Sequence, residues 1–282
     1  MTPAAEARVR PNALTVDVED WFHICGVGGP LQRIHWDRLP TRVVFTTRTL
    51  LDDLSHAGVR ATFFVLGWVA DRYPDLVAEI VAAGHEVGSH GHQHLRAYEL
   101  GPVGFLDDLT RSVRAVQAAG ARPPTAFRAP EWSINDRALW ALDLLAREGF
   151  SIDASMAPVP IVGNVRYPRY PHTRQTAAGP IVEFPPLVTS RFGQPVPLGW
   201  GWGLRMSSPA RVLRAMERLN RAGQPGVVAV HPWEIDPDPP RVPLPPRLRF
   251  AHYFRLGGFR QRLKILLREG GFGPLGDFAA CR

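Results

Sequence analysis

Three histidines, His90, His92 and His94, fall within five positions of the run Gly88-Ser-His-Gly-His-Gln-His94. His90 and His94 are four apart. If a strand ends near Val87 and a helical turn follows, both imidazoles project from one face. Two neutral ring nitrogens so spaced suit one divalent metal ion, with a carboxylate as third ligand. The competing reading is a polar loop whose histidines cap strand and helix ends. His92, between the two, either lines a substrate groove or faces solvent.

Polar residues close several apolar runs: Asp17, Glu19 and Asp20 the first, then Arg128, Asp153 and His231 later ones. In a parallel barrel the carboxyl ends of the strands share one face, where active sites are built. A metal held by His90, His94 and one carboxylate keeps a position open, lowers the pKa of water and polarises a carbonyl. Asp17 is then the base that takes the proton from water, and His231 the acid that protonates a departing amine. Arg128 pairs with Asp17, and Asp153 holds the His231 ring or closes a loop. This set fits metal-assisted amide hydrolysis. A serine or cysteine hydrolase fits worse, because there is no GxSxG and neither cysteine sits by a motif.

The elements that must position these groups alternate as in a parallel α/β fold. Strands are expected near Ala13–Val18, Ala61–Leu66, His85–Gly88, Ala126–Arg128, Phe150–Asp153, Ile181–Phe184 and Val227–His231. Helices are expected over Thr41–His56, Pro102–Ala119, Asn135–Arg147 and Phe259–Arg268, and from Ser208-Pro209 to near Gly223. Seven strands with interleaved helices suggest a distorted (β/α) barrel. Ala157–Pro180 reads as a long loop, and Pro185–Met206 as a flexible aromatic loop around Trp200 and Trp202. The domain plan is a tail over 1–11, a barrel over 12–236, and a proline-rich linker with a basic helical extension over 237–282.

The chain of 282 residues carries a net charge of +7, and Lys264 is its only lysine. A basic surface favours acidic partners, yet no arginine-aromatic nucleic-acid module is visible. Cys25 and Cys281 make neither a disulfide framework nor a zinc ribbon. The start lacks the apolar core of a signal peptide, and no run approaches the roughly 18 apolar residues of a membrane span. A cytoplasmic protein is the expectation, with peripheral contact at the inner membrane face as the alternative.

The motifs resemble those of polysaccharide deacetylases of the NodB-homology type, carbohydrate esterase family 4, from about Asn12 to Trp233. Leu14-Thr-Val-Asp-Val-Glu-Asp20 is similar to the first motif, Ser89–His94 to the His-x-x-x-His metal motif, Phe127-Arg-Ala-Pro130 to the arginine-proline motif and Val230-His231 to the closing one. Ala61-Thr-Phe-Phe-Val65 is typical of the second strand. Asp17-Val-Glu-Asp-Trp-Phe22, Glu183-Phe-Pro-Pro186 and His231-Pro-Trp-Glu-Ile-Asp236 resemble a subgroup encoded with exosortase and exopolysaccharide loci. The resemblance implies a barrel of seven strands and a divalent ion, Zn2+ first with Co2+, Ni2+ or Mn2+ as alternatives. It also implies removal of acetyl groups from an N-acetylated saccharide, as free polymer or lipid-linked precursor, alongside exopolysaccharide biosynthesis machinery.

The sequence departs from that pattern in three places. The usual aspartate pair is spread out, so Glu19 or Asp20 is the carboxylate ligand, with Asp20 favoured if the strand has ended. Gly91 stands where Ser or Thr commonly follows the first histidine, which removes an orienting hydrogen bond. Asp153-Ala-Ser155 matches the fourth motif only loosely. Two rival readings remain: an amidohydrolase of a small cyclic amide or ureide, and an inactive carbohydrate-binding member of an export complex.

Overall fold

The computed structural model describes residues 11–25, 27–28 and 31–279. The expectations for the N-terminal tail up to residue 10 and for Cys281 lie outside them. The chain runs β1 (Asn12–Val18), α1 (Val43–Ala57), β2 (Thr62–Val65), α2 (Gly67–Arg72), α3 (Pro74–Ala82), β3 (Glu86–Ser89), α4 (Ala97–Ala118), β4 (Ala126–Phe127), α5 (Trp140–Arg147) and β5 (Ile152–Asp153). It continues through β6 (His172–Thr176), β7 (Gly179–Glu183), β8 (Val188–Arg191), β9 (Gln194–Pro197), α6 (Gly201–Met206), α7 (Pro209–Arg221) and β10 (Val227–Val230). Last come α8 (Pro246–Tyr253), α9 (Phe259–Glu269), β11 (Phe272–Gly273) and α10 (Gly276–Ala279).

The main sheet has the order β10-β1-β2-β3-β4-β5-β7-β6, with β11 also paired to β1. All neighbours are parallel except β6 and β7. The architecture is a curled, mostly parallel half-barrel. β10 and β7 are not paired. Instead Leu187 N–H donates to Val227 O at 2.9 Å and Ala229 N–H to Gly199 O at 2.8 Å, so chain from the 185–200 region lies along the free side of β10. β1 and β10 are buried throughout, as strands covered on both faces must be, and so read as near-continuous apolar runs.

The sheet has nine strands where seven were expected. The extra two are short or polar. β6, sequence HTRQT, is a half-exposed edge strand turned back from β7 inside the segment read as a loop, and β11 is two residues long. A second hairpin, β8-β9, and α6 likewise replace the flexible aromatic loop over Pro185–Met206. Part of the C-terminal segment is built into the body, since β11 joins the sheet and Phe259, Leu263, Leu266 and Leu267 of α9 enter the main apolar core with α1 and α7 residues.

Helix boundaries follow local chemistry. α1 ends at Gly58, whose φ of 63° is the left-handed closure that glycine favours. Gly101 (φ 66°) breaks α4, and the helix proper resumes at Pro102. Asn135 does not cap a helix directly. Its Oδ1 accepts from Arg137 N–H at 3.1 Å in a turn, and α5 begins only at Trp140. α7 starts at Pro209, with Ser208 Oγ accepting from Arg211 N–H.

Candidate active site

The ends of β1, β3 and β10 bring Asp17, Glu19, His90, His94 and His231 around a cavity of about 320 Å³, and Arg128 at the end of β4 is bonded to Asp17. One oxygen of Glu19 lies 2.5 Å from His94 Nε2 and 3.6 Å from His90 Nε2. Among the described residues, these three make the group able to offer one ligand atom each, all within 4.8 Å of one another.

The histidines do not reach this point from one helical face. The segment after β3 is a bend, with Gly91 at φ 71° and His94 at φ 50°. Any Cβ at position 91 would stand 2.8 Å from Asp108 Oδ2, and that carboxylate fixes the bend by accepting from His92 N–H at 2.7 Å and Gln93 N–H at 3.0 Å. Only glycine fits there. His92 is buried but turns away to pair with Asp71 at 2.9 Å, which replaces the solvent-facing alternative.

The outer nitrogens set the tautomers. His90 Nδ1 lies 2.8 Å from the Arg128 carbonyl oxygen, so Nδ1 carries the proton and Nε2 presents its lone pair inward. His94 Nδ1 lies 3.4 Å from Cys25 Sγ, and that thiol donates in turn to the His94 carbonyl at 3.1 Å. Burial alone would raise the Glu19 pKa, but His94, His231 and His90 outweigh it and hold the carboxyl well below its usual range. Burial would lower His94, yet Glu19 and Cys25 raise it well above the ordinary histidine range. Two inward nitrogens and an ionised carboxylate, buried and mutually close, are a donor set that fits a divalent cation.

Asp20, the favoured third ligand, is corrected. β1 ends at Val18, and the chain then turns so that Glu19 faces the histidines and Asp20 points to α1. One Asp20 oxygen accepts from Thr41 Oγ1 at 2.7 Å, Arg42 N–H at 2.8 Å and Val43 N–H at 3.1 Å, and the other from Trp21 N–H at 2.9 Å. It satisfies orphan donors at a helix start.

Arg128 and Asp17 meet as expected, with Nη1 donating to Asp17 Oδ1 at 2.9 Å. The arginine is itself fixed by Thr15 Oγ1 and Ala154 O, and it lies over the Phe64 and Trp132 rings. His231 Nε2 sits 3.7 Å from Asp17 Oδ2 and 3.7 Å from Glu19 Oε1.

The partner assigned to His231 is also corrected. Asp153 is turned to Ser155, whose hydroxyl donates to it at 2.5 Å, and to Glu183 on the neighbouring strand. The ring is held by Glu234, whose Oε2 lies 3.0 Å from His231 Nδ1 and accepts from His231 N–H at 3.0 Å. Burial pushes His231 down, but Glu19, Glu234 and Asp17 push it up to about 9. Glu234 in turn pairs with buried Arg205 at 2.9 Å. Arg205 also donates to the carbonyls of Ala251, His252 and Phe254 at the end of α8, tying the C-terminal segment to the site. The position of Glu234, three residues after His231 across Pro232, is the spacing of a capping box, and was the one signal of its role. Arg205 gave none.

Trp200, Trp202 and Trp233 all line the cavity, together with Trp132. Trp233 stacks between His231 and His252 and donates through Nε1 to Glu19 at 3.2 Å. Among the described residues no helix is long and apolar enough to cross a membrane.

A family model described as polysaccharide deacetylase matches residues 33–149, and one described as a domain of unknown function, DUF3473, matches 154–280. The chain is 34% identical over 103 residues to a chitooligosaccharide deacetylase of Bradyrhizobium sp. (strain ANU 289), covering 36% of this chain and 44% of that one. It is 37% identical over 100 residues to a chitin deacetylase of Pestalotiopsis sp, covering 34% and 33%. The chain thus spans less than half the length of these relatives. A solved candidate polysaccharide deacetylase from Mycobacterium smegmatis shares the fold, with a TM-score of 0.64 at 22% identity over 100% of this chain and 93% of that one. Residues 33–149 are thus similar to polysaccharide deacetylases, and residues 154–280 to the DUF3473 type.

Proposed function

We propose that the chain is a metal-dependent hydrolase that removes N-acetyl groups from an amino sugar of a polysaccharide or its lipid-linked precursor. The observation that carries this reading is the convergence of three metal donors with the Asp17–Arg128 and His231–Glu234 pairs in one cavity. The names of the matched relatives and the tryptophans lining the cavity support a saccharide substrate. The motifs around Asp17, Glu183 and His231 support a role beside exopolysaccharide biosynthesis.

Glu19, His90 and His94 would hold the ion, Zn2+ being the first choice for this donor set. A divalent ion there supplies Lewis acidity toward an acyl oxygen and toward water. Asp17, oriented by Arg128, accepts the proton of the attacking water. His231 keeps Nδ1–H on Glu234 and delivers the Nε2 proton to the leaving nitrogen. The Glu234 carboxylate at Nδ1 favours the protonated ring. Acetate and a free amine result.

Bound metal by elemental analysis and acetate release from N-acetylated oligosaccharides test this. About one equivalent of a transition metal per chain, with turnover, is expected. Asp17→Asn should keep its metal and lose roughly two to four orders of magnitude in kcat. Near-normal turnover in that variant would overturn the base assignment.

A further inference from the structure

A buried ring nitrogen at the cavity, His23 Nε2, has no hydrogen-bond partner among the described residues. His23 follows β1 in the same turn as Glu19 and Asp20, is 3% exposed, and lines the cavity that holds the metal donors. The rings of Phe22, Trp36 and Trp68 meet it edge-on, and its ring lies nearly parallel to that of His94 at a centroid distance of 6.0 Å. Its Nδ1 accepts the backbone N–H of Asp20 at 2.9 Å. A nitrogen that accepts from an amide carries a lone pair, so the proton of the neutral ring resides on Nε2. That N–H is buried with no hydrogen-bond partner among the described residues.

An unsatisfied buried donor is costly, so each one at a cavity is a place to look for a ligand. The aromatic surround offers it no acceptor. The cavity does.

We propose that His23 Nε2–H is a substrate-binding donor, which hydrogen-bonds an oxygen of the acylamino sugar seated against Glu19, His90 and His94. The oxygen belongs either to the acyl group or to a ring hydroxyl; both are neutral or anionic acceptors. The assignment rests on the deacetylase reading. It adds to that reading a binding residue that neither the metal motif nor the acid–base pair contains.

Two substitutions separate this role from a structural one. Asn at position 23 places an acceptor near the Nδ1 position and nothing near Nε2. Gln reaches the Nε2 position with an N–H and gives up the near-side acceptor. A binding role predicts that His23→Asn loses about tenfold or more in kcat/KM on N-acetylated chito-oligosaccharides, while His23→Gln keeps most of it. A role confined to capping Asp20 N–H predicts the reverse order. Both variants should retain about one metal per chain, measured by elemental analysis. Binding of acetate and of glucosamine to the metal-loaded proteins then identifies the oxygen, since only the former carries the acyl group and only the latter the ring hydroxyls.

An unchanged kcat/KM in His23→Asn beside an active wild type overturns the assignment, as does the reversed order. An inactive, metal-loaded wild type that binds neither probe overturns the deacetylase reading, and the assignment falls with it.

Discussion

Glu19 and Glu183 are both buried glutamates at the carboxyl ends of parallel strands, and they exist in opposite states. Glu19, just past β1, has His90, His94 and His231 around it and is held well below the usual carboxylate range. Glu183, the last residue of β7, faces Asp153 of β5, and burial and that neighbouring carboxyl raise it well above. Burial pushes both upward; the neighbours decide which wins. A strand-end carboxylate is thus a catalytic candidate only when cationic or metal-binding partners surround it. Arg128 stands between the two regions, and its guanidinium commits to Asp17 on the side of the histidines.

The largest expected break in this contrast is at the metal end. Glu19→Gln should lose bound metal and with it nearly all turnover. Asp20→Ala should keep its metal and lose about 1 kcal/mol of stability, the usual cost of a helix-start acceptor. Elemental analysis and urea unfolding of the two proteins decide between them. Metal loss in Asp20→Ala with retention in Glu19→Gln would return the ligand role to Asp20.

These two residues also show how far the sequence could be read. The histidine spacing, the Asp17–Arg128 pair and His231 were all legible, because each belongs to a short motif beside an apolar run. The choice between Glu19 and Asp20 was not, since it depends on how the chain turns after β1 ends at Val18, which the strand period does not predict. The seven core strands were legible as apolar runs. β6 and β11 were not, one being polar along an edge and the other two residues long. Glu234 and Arg205 lie distant in sequence and meet only through folding. Asp153 followed its motif to the wrong partner because strand pairing sets it against Glu183.

The His231 side sharpens the comparison further. Glu234→Gln should retain metal and lose one to two orders of magnitude in kcat, because the ring loses its anionic anchor. Asp153→Asn should change kcat by no more than about twofold. Steady-state kinetics on both variants check this, and equal losses would restore a catalytic role to Asp153. Arg205→Met leaves the buried Glu234 without its guanidinium partner, with only His231 to pair it, and should cost about 3 kcal/mol in denaturant unfolding. A stability within 1 kcal/mol of the wild type would mean that the pair contributes little.

The smallest effect is a gain, and it comes from Glu183. Burial and the Asp153 carboxyl raise its folded pKa well above the ordinary glutamate value, so the native state keeps a proton that the unfolded chain releases. The linkage then runs in one direction. Below about 4.5 both states are protonated and nothing is lost. As pH rises from there toward the folded pKa, the unfolded state gains stability through ionisation and the protein becomes less stable. Glu183→Gln removes the titration while its amide oxygen can still accept from Met156 N–H and its NH2 can donate to Asp153. The variant should therefore match the wild type in acid and melt at a higher temperature near neutral pH, with the difference growing as pH rises. Thermal unfolding across that range measures it. A variant that is less stable at every pH would show that the shared proton between Asp153 and Glu183 stabilises the fold, and that the two buried glutamates differ less than their surroundings imply.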